Sequence, residues 1–163
     1  MASEIKVDTI VNAGGDNDTG IDLATNDQIL LKVANATKLT MNSTGQITLV
    51  GEGGTNTTSL QQGLAKSFIN FNGGGTVSIR DSFGVSSLAD NSTGNYTVTL
   101  SITMSTETDW SGAMSGNGAG YTHSFGGTSG VFTSTSFPVN VRAGNNVDTD
   151  VSLLVGQVFG DLA

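Results

Sequence analysis

Residues 59–72 read SLQQGLAKSFINFN, and they divide the chain into two halves of different chemistry. No Phe, Tyr or Trp precedes Phe68, whereas ten follow Ser67: Phe68, Phe71, Phe83, Tyr96, Trp110, Tyr121, Phe125, Phe132, Phe137 and Phe159. Aromatic rings supply much of the buried area of a small core. Only the second half is therefore expected to build a core alone, and the first half reads as an arm. Within the dividing stretch, Ser59 followed by Gln62 fits a capping box, in which the Ser hydroxyl accepts from the backbone three residues on. Leu60 and Leu64 then share a helix face, Lys66 suits the negative pole, and Gly63 weakens the helix by about 1 kcal/mol relative to Ala. The spacing predicts one or two turns of helix over 59–66. A helix this short holds only by packing, either on the globule that follows or on copies of itself.

Residues 1–58 carry apolar pairs at i and i+2: Ile5 with Val7, Ile21 with Leu23, Ile29 with Leu31, Leu39 with Met41, and Ile47 with Leu49. That spacing places both side chains on one face of a strand, and turn formers such as ATND, NSTG and GEGG separate the pairs. Each strand offers only a narrow apolar stripe, while ordering the backbone costs roughly 1–2 kcal/mol per residue. Either the arm is disordered, or several chains wrap so that the stripes face one another across a shared axis. Alternation this regular favours the second, which also disposes of open strand edges. The residues expected at such a contact are Ile29, Leu31, Leu39, Met41, Ile47, Leu49, Leu60 and Leu64.

From residue 67 to 163 the pattern predicts an antiparallel β-sandwich of about seven strands. In residues 95–103, Tyr96, Val98, Leu100 and Ile102 alternate with Thr and Ser, the mark of a strand with one face buried and one wet. Tyr121, His123 and Phe125 alternate too, as do residues 131–135 and 137–141, with the single Pro138 expected at an edge or strand start. Residues 105–120, STETDWSGAMSGNGAG, read as a long loop carrying Trp110 and Met114. AGNNVD at 143–148 reads as a turn, and residues 151–159 as a last apolar strand. The tetrapeptide NSTG at 42–45 and 91–94 predicts the same turn geometry twice, with Gly left-handed in both.

Composition narrows the function. Six basic against fourteen acidic residues give a net charge of −8 with no basic cluster, so nucleic acid is not an expected partner. Cysteine is absent, which removes thiolate and disulfide chemistry. No leader peptide and no run long enough to cross a membrane is expected. Asp16, Asp18 and Asp22 could converge on a hard cation, yet the distal bidentate Glu of a calcium loop is missing and the run reads as a solvated turn. His123 has no second His or Cys to join it at a metal, and no GxSxG elbow accompanies it. Asp81, Asp90, Glu107 and Asp109 could serve as paired glycosidase carboxylates, and read instead as solvated loop acids. No cofactor, metal or catalytic residue is expected, and the chain is read as not an enzyme. Trp110 with Tyr121 is the one constellation that suggests binding, because such rings stack on the apolar side of a sugar. A Trp in the core is the competing reading.

KVANATKLTMNSTGQITLVG, at 32–51, resembles the strand-turn-strand unit that recurs in bacteriophage tail-fibre stalks. SLQQGLAKSFINFNGGGTVSIRDSFGVSSLADNSTGNYTVTL, at 59–100, resembles a module of small virion proteins of marine and cyanobacterial phages, as do the opening SEIKVDTIV and the closing GDLA. Residues 104–159 carry no such resemblance. It implies a virion structural protein, a homotrimer with arm strands around a threefold axis and heads at the distal end, and partners among tail or capsid proteins. The expectation is an all-β chain: a β arm over 1–58, a helical joint over 59–66 and a β-sandwich head over 67–163. A tail fibre or fibre-like appendage is the first reading, a capsid decoration protein or head fibre the next. A glycan-binding adhesin, contacting a host surface glycan through Trp110 and Tyr121, and a depolymerase using Glu107 or Asp109 are the readings of other classes.

Overall fold

The computed structural model describes residues 6–12, 18–51, 53–126 and 131–163. The chain falls into two compact units that meet between Gly63 and Leu64. Both are built from antiparallel sheets, and the one helix among the described residues is a single turn.

The first unit is one six-stranded meander, β1 (Thr9–Val11), β2 (Gly20–Asp22), β3 (Ile29–Val33), β4 (Ala36–Met41), β5 (Ile47–Val50) and β6 (Thr57–Ser59), each strand paired with the next in sequence. Its turns follow from local chemistry. Ala34 and Asn35 both take positive φ, 51° and 56°, which closes the β3–β4 hairpin as the two-residue turn whose twist matches the flanking strands. Between β4 and β5, Asn42 Oδ1 accepts from the backbone N–H groups of Thr44 and Gln46 and from the Thr44 hydroxyl. A bulge at Leu31/Lys32 leaves Lys38 unpaired in the ladder. Of the expected strand pair Ile5 and Val7, Val7 precedes β1, which begins at Thr9, and Ile5 lies outside the described residues.

α1 (Leu60–Gly63) follows β6 directly. The Ser59 hydroxyl accepts from the Gln62 N–H at 3.3 Å, as the capping box requires. Within its own unit α1 packs on the arm, against β5 and β6. Gln61 makes this contact specific, accepting from the Ile47 N–H and donating to the Gly45 carbonyl, both at 2.9 Å. Leu64 falls past the end of the helix and is exposed, so it does not share a helix face with Leu60.

The second unit is a sandwich of two four-stranded sheets. One has the order β12 (Thr122–Phe125), β13 (Ser136–Arg142), β10 (Asn95–Leu100), β9 (Val85–Ser92); the other is β11 (Trp110–Gly116), β14 (Leu154–Gly160), β7 (Ser67–Asn72), β8 (Ser78–Phe83). Tyr96, Val98, Leu100, Phe137, Val139 and Val141 from the first sheet meet Ile69, Phe71, Leu154 and Val158 from the second. Edge-to-face ring pairs cross this core, Phe71 with Tyr96 at 5.2 Å and Trp110 with Phe137 at 5.5 Å, the geometry that aromatic quadrupoles favour.

Four expectations are corrected here. Residues 110–116 are a strand, not part of a loop, paired along their whole length with β14. Gly112 and Gly116 are small because Phe125 and His123 occupy the space a Cβ would need, at 2.5 and 2.8 Å; they mark close approach and not a turn. Residues 131–135 form a turn with an isolated bridge from Thr133 to Ser136 instead of a strand. Pro138 sits within β13, which has neighbours on both sides. Its carbonyl accepts from Gly126, just past the end of β12, so its missing N–H faces the side where the neighbouring strand has ended. The two NSTG segments differ as well. The first lies in a five-residue loop between Met41 and Ile47, whereas the second ends β9 and turns on Thr93 and Gly94 alone; only the left-handed Gly is common, at φ 79° and 68°.

Candidate assembly surface and the predicted contact residues

Antiparallel register decides which arm residues share a face. Ile10 pairs with Ile21, Ile21 with Leu31, Leu31 with Leu39, and Leu39 with Leu49. Residues directly opposite one another point to the same side, so these five form one apolar row across five strands. Ile29, Met41 and Ile47 form a second row beside it. All six strand residues expected at the contact, Ile29, Leu31, Leu39, Met41, Ile47 and Leu49, therefore lie on a single face. Leu60 is half-buried beside them in sequence, and Leu64 is not part of the sheet.

The other face is of opposite character. Thr9, Asp22, Leu30, Thr40, Thr48 and Ser59 form its central row. Lys32 reaches across to Asp22 in a salt bridge, and this hydrogen bond, with a second from the Ala24 N–H, holds the Asp22 carboxyl below its usual value. Asp22 is thus committed to a lysine, Asp18 accepts from the Thr19 hydroxyl, and Asp16 lies outside the described residues. Among the described residues no group of three or more His, Asp or Glu is placed to hold a metal.

Among the described residues, none before Lys66 is buried, and Ile10, Leu23, Ile29, Leu31 and Val33 are each more than a third exposed. At one end the apolar face opens into a groove of about 420 Å³ bounded by Leu23, Ile29 and Met41. Ile10 and Ile21 were not among the residues expected at a contact. Ile10 has no apolar neighbour two residues away, and only the pairing with β2 reveals its side.

In the head, Trp110 and Tyr121 sit in different surroundings. Trp110 is half-buried, edge-on to Phe132 at 5.3 Å and Phe137 at 5.5 Å, and its indole donates to the Glu107 carbonyl. It lines a cavity of about 170 Å³ with Gly112, Phe125 and Phe132, to which Tyr121 does not contribute. Tyr121 is exposed and covers Gly118. His123 lies on the inner side of β12, opposite Val141, with Nε2 3.3 Å from the Asn117 carbonyl. Glu107 and Asp109 are exposed ahead of β11, while Asp81 and Asp90 belong to strands of different sheets.

Polar strength is concentrated at one corner of the head. Asp148 accepts from Asn95 at 3.0 Å, Asn140 at 3.2 Å and Arg142 at 2.9 Å, and these donors hold its carboxyl below the usual value. Asp150 accepts from the Gly94 N–H and from the Tyr96 hydroxyl. Burial, then the neighbouring Asp150 carboxylate, pushes the Tyr96 phenol well above its ordinary range. This corner ties the segment after Arg142 to the β9–β10 turn and leaves its acids occupied within the fold.

No helix among the described residues is long and apolar enough to cross a membrane. Set beside known proteins, the chain matches no family model, no curated protein and no solved structure.

Proposed function

We propose that this chain is a structural protein of a bacteriophage particle. In this reading it is a homotrimer joined through its arm, a tail fibre or fibre-like appendage that displays a β-sandwich head toward the host. One observation carries the self-association: a six-stranded sheet with a continuous apolar face and no buried residue among those described. A single layer cannot bury its own face. Covering the eight side chains of the two rows, each already partly screened within the sheet, contributes on the order of 1 kcal/mol apiece. Copies of the same face supply that cover and also meet the open edges of β1 and β6. The number three and the virion setting come from the resemblance of residues 32–51 and 59–100 to phage stalk and virion modules. A capsid decoration protein or head fibre would use the same arm and differ in where its foot is fastened.

Light scattering on the full chain, and on a version beginning at Leu64, tests the reading. A trimeric full chain and a folded monomeric head are expected. A full chain that stays monomeric, with an arm readily cut by protease, would remove self-association and leave an arm that orders only on another virion protein.

A further inference from the structure

The two outer faces of the head are unlike. On the sheet that contains β10, the outward positions include Ser87, Ala89, Thr97, Thr99, Thr122 and Ser124, with Ser136, Pro138, Asn140 and Arg142 of β13 between them, and no aromatic ring is among them. On the sheet that contains β7, two rows cross all four strands: Phe83, Phe68, Gln157 and Ala113 in one, Asp81, Asn70, Val155 and Ser115 in the other. Phe68 and Phe83 are 40% and 60% exposed and stack at 6.4 Å with their planes 23° apart. Next to them lies a groove of about 440 Å³, bounded by Phe68, Asn70, Asp81, Val155 and Gln157, with Ala113 and Ser115 on the far side. That volume falls in the range of about 300–1,000 Å³ usual for small-ligand sites.

The chemistry of the groove narrows its occupant. Phe68 borders the groove and is stacked with Phe83, which does not line it. The hydrogen-bonding groups around it are the Asp81 carboxylate, which only accepts, and the Asn70 and Gln157 amides and the Ser115 hydroxyl, which both donate and accept, the mixture that sugar hydroxyls match. Asn70 Oδ1 is the one buried side-chain polar atom without a hydrogen-bond partner among those described. Such an atom costs about 1–3 kcal/mol while it lacks a donor, and the amide torsion of Asn is soft enough to turn it toward the groove. No Lys, Arg or His lines the groove, and Asp81 is its only charge, so phosphates, uronic acids and sialic acids are repelled. A peptide strand would require a free sheet edge, whereas the groove lies on the face.

We infer that this groove binds a neutral saccharide, one sugar ring lying against Phe68 while its hydroxyls donate to Asp81, Asn70 and Gln157. The site differs from Trp110 and Tyr121. It rests on the proposed host-facing role of the head for its setting, and on the head's own geometry for its chemistry.

The full-length protein is tested on an array of neutral hexose and N-acetylhexosamine oligosaccharides with sialylated and uronic-acid chains beside them, and a neutral hit is titrated by NMR. Saturable binding confined to neutral glycans is expected. Shifts should centre on Phe68, Asn70 and Gln157, and affinity should drop by about tenfold in Phe68→Ala. Thr99→Ala, on the opposite sheet, should bind as the parent does. Asp81→Asn keeps the shape of the groove and controls for folding: it should weaken neutral binding with an unchanged thermal midpoint. Absence of saturable neutral binding, binding that survives Phe68→Ala, or shifts centred on Trp110 and Tyr121 would each overturn the proposal. So would concentration-dependent pairing of heads that Phe83→Ala abolishes, because a second copy would then own the face. The mass of the full chain is measured separately, so loss of the glycan site and loss of the trimer are told apart.

Discussion

Asp148 holds three donated hydrogen bonds from residues 53, 8 and 6 positions away in sequence. Its folded carboxyl is depressed below the ordinary 3.8, so its contribution is fully present above the unfolded value of about 3.9 and disappears as pH falls through the lower folded value. The head should keep a level thermal midpoint down to about pH 5 and lose stability below about pH 4. Asp148→Asn should lower the midpoint at neutral pH and flatten that acid loss; a variant with the parent's acid profile would show that other carboxylates set it. None of this was legible beforehand. AGNNVD reads as a turn, and a turn it is, but nothing local says that its last residue reaches Asn95 and Asn140. Pro138 teaches the same lesson, because the rule against proline in a central strand holds only where the neighbour strand continues.

Among the elements, the arm strands were the most readable. The pairs Ile29/Leu31, Leu39/Met41 and Ile47/Leu49 each became a strand with both residues on one face, because a period of two survives any register that keeps sidedness. The Trp110–Gly116 strand was hidden because its glycines make room for Phe125 and His123, and sequence alone cannot separate a glycine that turns the chain from one that admits a neighbour. The sidedness of the arm yields a paired test. Leu31→Asp or Leu39→Asp places a charge in the middle of the apolar row and should convert the full chain to a monomer while the head keeps its thermal midpoint. Thr40→Asp changes the opposite face and should leave the mass unchanged. If both faces tolerate Asp equally, the apolar rows are not the contact.

For the molecule as a whole, all buried residues among those described lie from Lys66 onward, so under the proposed assembly the head is ordered by its own core and the arm by its copies. The aromatic residues begin at Phe68, and the partition between the two compact units falls a few residues earlier, between Gly63 and Leu64. An assembly's stability depends on concentration, whereas a monomeric fold's does not. Calorimetry at two protein concentrations roughly tenfold apart should show one transition that rises with concentration and a second, shared with the version beginning at Leu64, that stays fixed. A single transition indifferent to concentration would show that the arm gains nothing from other copies.

The arm's apolar face also has a meaning in time. The arm precedes the 100 residues of the head in the chain, and synthesis proceeds at about 5–20 residues per second. Once the arm has left the ribosome, its apolar rows wait about 5–20 seconds before the head is complete. Neighbouring ribosomes on one message hold several such arms close together during that interval. In the proposed assembly the joining segment is thus made before the head, and in company, so partners can be chosen while each head is still being written.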